Sequence, residues 1–131
     1  VAACSANIRR VQQVIDAAEK SGRKIFLSGR SLENAAAIST DLGYMHVAEN
    51  LILPIDKLRN YRDEDVVIIT TGSQGEPMSA LSRMSLRDHK KVTIDSNDFV
   101  IISSNDIIVP HNDFIIPSYG LIVSHYLLYC R

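Results

Sequence analysis

Val66-Val67-Ile68-Ile69-Thr70 runs directly into Thr71-Gly72-Ser73-Gln74-Gly75-Glu76-Pro77. Five successive β-branched residues, the first four wholly apolar, make a strand with no solvent face. Such a run belongs in a parallel sheet covered by helices rather than in a half-exposed antiparallel one. The glycine-containing loop that follows reverses the chain, and Pro77 suits the first turn of a helix reaching about Ser85.

Upstream the same unit recurs. Lys24-Ile25-Phe26-Leu27 is a short apolar run, and Ser28-Gly29-Arg30-Ser31 turns it into a helix over Leu32–Leu42, stopped by Gly43. Before it, Ile8, Val11, Ile15 and Ala18 recur at helical spacing, with Ser5 able to cap the start and Gly22 the end. A strand containing Val1–Ala3 precedes that helix. Pro54 interrupts the segment Tyr44–Tyr61, in which Ile55–Arg59 suits a short helix, and Arg62–Asp65 reads as a solvated turn. Val92-Thr93-Ile94 and Phe99–Ser103 have the composition of two further strands. Alternating strand and helix predict an α/β fold, a three-layer Rossmann-like parallel sheet with helices on both faces. From Asn105 to Arg131 the chain is apolar and nearly uncharged without helical periodicity, so the organisation is a domain over 1–104 and a divergent tail over 105–131 whose fold is not legible.

The 131 residues suffice for one domain with a real core. A net charge of −1 provides no global attraction to nucleic acid, so RNA contact has to come from local patches. Cys4 and Cys130 lie almost a chain length apart and form no metal-ligand spacing. No signal peptide or membrane-spanning run is visible, so a cytoplasmic protein with no membrane contact is expected.

The loops Ser28–Ser31 and Thr71–Glu76 each leave a strand and open a helix. In a parallel sheet both fall at the carboxyl edge, where ligands of open α/β folds bind. Glycines, hydroxyls and helix N-termini suit phosphate there, although no Lys-Ser/Thr follows Gly75 to make a Walker loop. On local pattern alone, glycines for tight turns and hydroxyls for helix caps is the plainer reading. The phosphate or RNA candidates are Ser28, Arg30, Ser31, Ser73, Gln74, Glu76 and Arg83, together with Arg9 and Arg10, cations in the first turns of a helix where the dipole disfavours them. Arg87-Asp88-His89-Lys90-Lys91 could meet a phosphodiester backbone, but short charge runs usually face water and a solvated turn is preferred. His46, His89, His111 and His125 are scattered, with no arrangement for zinc.

Two strings resemble a known family. Ser5-Ala6-Asn7-Ile8-Arg9-Arg10-Val11 through Ala18, with Gly22-Arg23-Lys24 and Gly29-Arg30-Ser31, is similar to the β-CASP domain of ribonuclease J. Thr70 through Met78, then Ala80-Leu81-Ser82-Arg83-Met84, is the most specific match. The resemblance covers about Val1–Ser104. It implies a cytoplasmic RNA-processing and decay enzyme, active on rRNA and other RNA as endonuclease and 5′-to-3′ exonuclease. In that family a metallo-β-lactamase domain holds two zinc ions, and the β-CASP domain closes over the RNA channel. None of the zinc-binding motif occurs here, so the resemblance assigns this chain no catalytic residue and no metal of its own. It implies RNA, the metallo-β-lactamase domain and other ribonuclease J subunits as partners. The chain departs from the family pattern twice: Arg9 replaces a histidine usual in the first motif, and after Ser104 the family's proline- and glycine-containing string does not follow. The alternatives are a stand-alone nucleotide-binding Rossmann-like module and a non-catalytic subunit pairing with an active ribonuclease.

Overall fold

The computed structural model describes Ala2–Ala3, residues 8–72 and residues 78–103. Within these, five strands form one sheet in which every pairing is parallel: β1 (Ala2–Ala3), β2 (Lys24–Ser28), β3 (Ile52–Leu53), β4 (Val66–Thr70) and β5 (Ile102–Ser103). The order across the sheet is β3-β2-β4-β1-β5. β4 is buried at all five positions and sits in the centre, as an apolar strand with no polar face must. It pairs with β2 from Lys24↔Val66 to Ser28↔Thr70.

Three α-helices connect the strands: α1 (Ile8–Lys20), α2 (Arg30–Asp41) and α3 (Ala80–Ser85). α1 buries Val11, Val14, Ile15 and Ala18, one stripe of an amphipathic helix. It ends where the N–H of Gly22 reaches the Glu19 carbonyl and that of Arg23 the Ala18 carbonyl, with Gly22 at φ +70°. Gln12 ties α1 to the following segment by two bonds with the backbone of His46, donating to its carbonyl at 2.9 Å and accepting from its N–H at 2.8 Å. The core includes Phe26, Ile25, Leu32, Ile68, Ile69 and Met84, with Tyr61 edge-on to Phe26 at 5.6 Å between ring centroids.

The direction of winding reverses within this order. β1→α1→β2 and β2→α2→β3 step toward one edge of the sheet, whereas β4→α3→β5 steps toward the other. Right-handed crossovers therefore put α1 and α2, which touch each other, on one face and α3 on the opposite face. The loops leaving β2 and β4 diverge to different faces, and the gap between these neighbours is a topological switch point.

Three expectations need correction. Val92–Ile94 is not a strand: Val92 is buried, but its N–H is bonded to the His89 ring instead of a ladder. Of Phe99–Ser103 only Ile102–Ser103 pairs with β1, while Val100 and Ile101 are buried ahead of the ladder. α3 starts at Ala80, capped by Ser79 accepting from the Ser82 N–H, rather than in the turn after Pro77. Ile55–Asn60 and Asp63–Asp65 are both short 3-10 turns. Ser5, Cys4, Pro77, Cys130 and the tail over 105–131 lie outside the described residues.

Candidate phosphate-binding cleft

Ser28 and Thr70 are the last residues of β2 and β4, register partners, and both buried. Beyond them the chain opens a cleft of about 590 Å³. One wall is the start of α2, with Gly29, Arg30, Ser31 and Glu33. The other comes from the region around α3, with Thr71, Met78, Ser79, Ala80 and Arg83, and from the loop carrying His89, Lys90 and Lys91.

The walls are held close by missing side chains. A Cβ on Gly29 would lie 3.1 Å from both Cγ2 and Oγ1 of Thr71. Gly72, at φ +111°, is more tightly enclosed: a Cβ there would collide with Ser79 Oγ and come within 2.8 Å of Ser79 Cβ and 2.9 Å of Leu81 Cβ. The N–H of Leu81 also bonds to the Thr71 carbonyl at 3.2 Å, so the β4 exit and the α3 start form one folded-back unit.

Four cations, Arg30, Arg83, Lys90 and Lys91, face one carboxylate, Glu33, around this cleft. Lys91 is paired with Asp56 at 2.6 Å, and Arg83 lies 3.7 Å from Asp88. Among the described residues no carboxylate reaches Arg30 or Lys90, which are exposed. The cleft therefore presents an excess of positive charge on a chain that is slightly acidic overall. α2 contributes the first-turn amides of Arg30, Ser31 and Leu32, which precede the first intrahelical bond from Glu33 N–H to the Gly29 carbonyl.

Of Arg30, Ser73, Gln74 and Arg83, expected near one cleft edge, the two that are described, Arg30 and Arg83, line this cleft, as do the candidates Ser28 and Ser31. Arg9 and Arg10 lie in the first turn of α1, Arg9 exposed and Arg10 half-buried, and do not line this cleft. Ser73, Gln74 and Glu76 lie outside the described residues. The basic run is the exposed turn expected of it at Arg87, Asp88, Lys90 and Lys91, but His89 is half-buried, with its Nε2 3.2 Å from Ser28 Oγ. No local signal marks this meeting, because Ser28 lies 61 positions away; the loop's other end is anchored by buried Val92. Burial lowers the His89 pKa from its ordinary value of 6.5, and the cations Arg83 and Lys91 lower it further, so the ring is neutral at pH 7.

Among the described residues no group of three or more His, Cys, Asp or Glu is placed to hold a metal ion, and no helix is long and apolar enough to cross a membrane.

Comparison with known proteins agrees with this architecture. A family model described as Ribonuclease J, beta-CASP domain, matches residues 1–118. Ribonuclease J2 of Bacillus subtilis strain 168 is 40% identical over 103 residues, 79% of this chain and 19% of the relative. Ribonuclease J of Mycolicibacterium smegmatis is 46% identical over 103 residues, 79% of this chain and 18% of the relative. Ribonuclease J of Helicobacter pylori strain J99 is 46% identical over 99 residues, 76% of this chain and 14% of the relative. The chain thus spans less than a fifth of the length of these relatives. With the family matched across most of its length, the chain belongs to the β-CASP domain family of ribonuclease J.

Proposed function

We propose that this chain is the RNA-holding β-CASP segment of a ribonuclease J-type nuclease, and that the cleft between β2 and β4 binds the sugar-phosphate backbone of single-stranded RNA. The observation that carries the reading is the convergence of Arg30, Arg83, Lys90 and Lys91 at a topological switch point of a parallel sheet. Backbone phosphates need cations and amide donors and no base-specific contact, and this cleft offers those groups. Strand cleavage belongs, in this reading, to zinc-activated water in a metallo-β-lactamase domain, acting on RNA in the cytoplasm. The residues here bind and orient the strand. Pairing with other ribonuclease J subunits is part of the same proposal.

Photocrosslinking tests it. A single-stranded RNA carrying photoreactive uridines, irradiated with the protein, is expected to crosslink to peptides containing 28–33 and 78–91. Crosslinks concentrated on Arg59–Asp65, at the opposite edge of the sheet ahead of β4, would reject the cleft. So would micromolar binding of a mononucleotide with no affinity for the oligonucleotide, the behaviour of a stand-alone nucleotide module.

A further inference from the structure

His89 reaches the cleft by a route that its place in a charged run hides. Its own N–H donates to the Arg83 carbonyl at 3.0 Å, closing the end of α3. Its Nδ1 accepts from the backbone N–H of Val92 at 3.2 Å and of Lys91 at 3.4 Å. An imidazole nitrogen that accepts carries no proton, so the neutral ring carries its proton on Nε2. That nitrogen points at Ser28 Oγ, 3.2 Å away across 61 positions of sequence.

Lys90 and Lys91 are thereby held between the ring and Val92, whose side chain is buried in the core, so the loop is pinned at both ends. Ser28 Oγ, as acceptor from His89, keeps its single O–H for another acceptor, and among the described residues none is bonded to it. The serine is buried at the floor of the cleft.

We propose that His89, with its proton on Nε2, is the positioning residue of this cleft: it fixes Lys90 and Lys91 at the rim and leaves the Ser28 hydroxyl as a donor to a bound phosphate oxygen. The inference rests on the reading of the cleft as a phosphate site. Protonation of Nδ1 replaces an acceptor with a donor facing two backbone N–H groups, so the loop must let go. The charged groups around the ring are Arg83 from α3, Lys91 from its own loop, and Asp88, which lies against Arg83; β2 offers only the Ser28 hydroxyl. Both cations oppose the added proton.

This arrangement inverts the usual effect of a histidine at a nucleic-acid site. A histidine acting as a simple cation binds RNA more tightly as pH falls. A histidine that must be neutral to hold two lysines and a serine binds it less tightly.

The test uses the full chain, a single-stranded RNA oligonucleotide as probe, and the variants His89→Asn and Ser28→Ala. Asparagine does not titrate, and its side-chain oxygen can still accept from N–H groups two or three residues on. RNA affinity of the wild type, relative to His89→Asn, is expected to fall as His89 takes up its proton. Ser28→Ala is expected to weaken binding by about tenfold, as removal of one hydrogen bond to a charged group should. Nitrogen NMR of the ring and exchange rates of the Lys91 and Val92 amides need no variant. They are expected to show an unprotonated Nδ1 and protected amides above the titration, and exposed amides below it. A neutral ring protonated on Nδ1, amide protection indifferent to His89 protonation, or affinity that rises relative to His89→Asn through the titration would each overturn the proposal. A wild type that binds no RNA at any pH removes the phosphate site itself, while the ring and amide signals still decide whether His89 positions the loop.

Discussion

Gly72 lies so close to Ser79 that a single methyl group at Gly72 would overlap the serine hydroxyl and crowd its Cβ at 2.8 Å. This approach folds the exit of the central strand against the start of α3. It makes the cleft a property of backbone packing before any charged side chain is considered.

Gly72→Ala is expected to destabilise the fold by about 2–4 kcal/mol, combining overpacking with a strained positive φ. Gly22→Ala is the comparison, because a Cβ there meets nothing within 4 Å and only the left-handed backbone is penalised, at about 1 kcal/mol. Urea denaturation of the two variants checks the difference. Equal destabilisation would mean that the Gly72–Ser79 approach is not tight.

Gln12→Ala removes both bonds to the His46 backbone, along with an exposed bond from Gln12 Nε2 to Asp16 Oδ1 at 2.7 Å. The expected cost is about 1–2 kcal/mol, with faster exchange of the His46 amide. Neither Gln12 nor His46 lines the cleft between β2 and β4, so RNA affinity is expected to be unchanged, as an oligonucleotide titration would show.

How much of this could be read in the residues depends on the range of the forces involved. β4 was legible because five β-branched residues in a row have only one favourable environment. α1 was legible from the spacing of Val11, Ile15 and Ala18. The co-location of Arg30 and Arg83 was legible too, since two strand-to-helix loops of one parallel sheet must emerge at the same edge. Val92 was not legible: its β-branched neighbourhood has strand composition, yet its N–H is taken by a ring three residues back. His89 was invisible for a related reason, because its partner Ser28 is 61 positions away and no local pattern encodes that meeting.

Stability should depend on pH through His89. The folded pKa lies below the ordinary 6.5, so between the two values the unfolded chain binds the proton that the folded ring refuses. The contribution is complete above pH 6.5 and disappears as pH falls from there toward the lowered folded value. Denaturation midpoints at about pH 7.5 and about pH 5.5 should differ more for the wild type than for His89→Asn. An identical pH response in both would show that the ring titrates as if unfolded.

If phosphates bind at the carboxyl edge between β2 and β4, the salt dependence of RNA binding must carry the signature of the cations there. Each cation that neutralises a phosphate of a single strand should contribute about 0.7 to the slope of log affinity against log salt. Arg30→Ala combined with Lys90→Ala should therefore lower the slope by about 1.4. Lys20→Ala, which removes an exposed cation at the other end of the sheet where α1 leads into β2, should leave it unchanged. A double variant with the wild-type slope, or a Lys20→Ala variant whose slope falls as far as that of the double one, would mean that RNA phosphates are not held between β2 and β4.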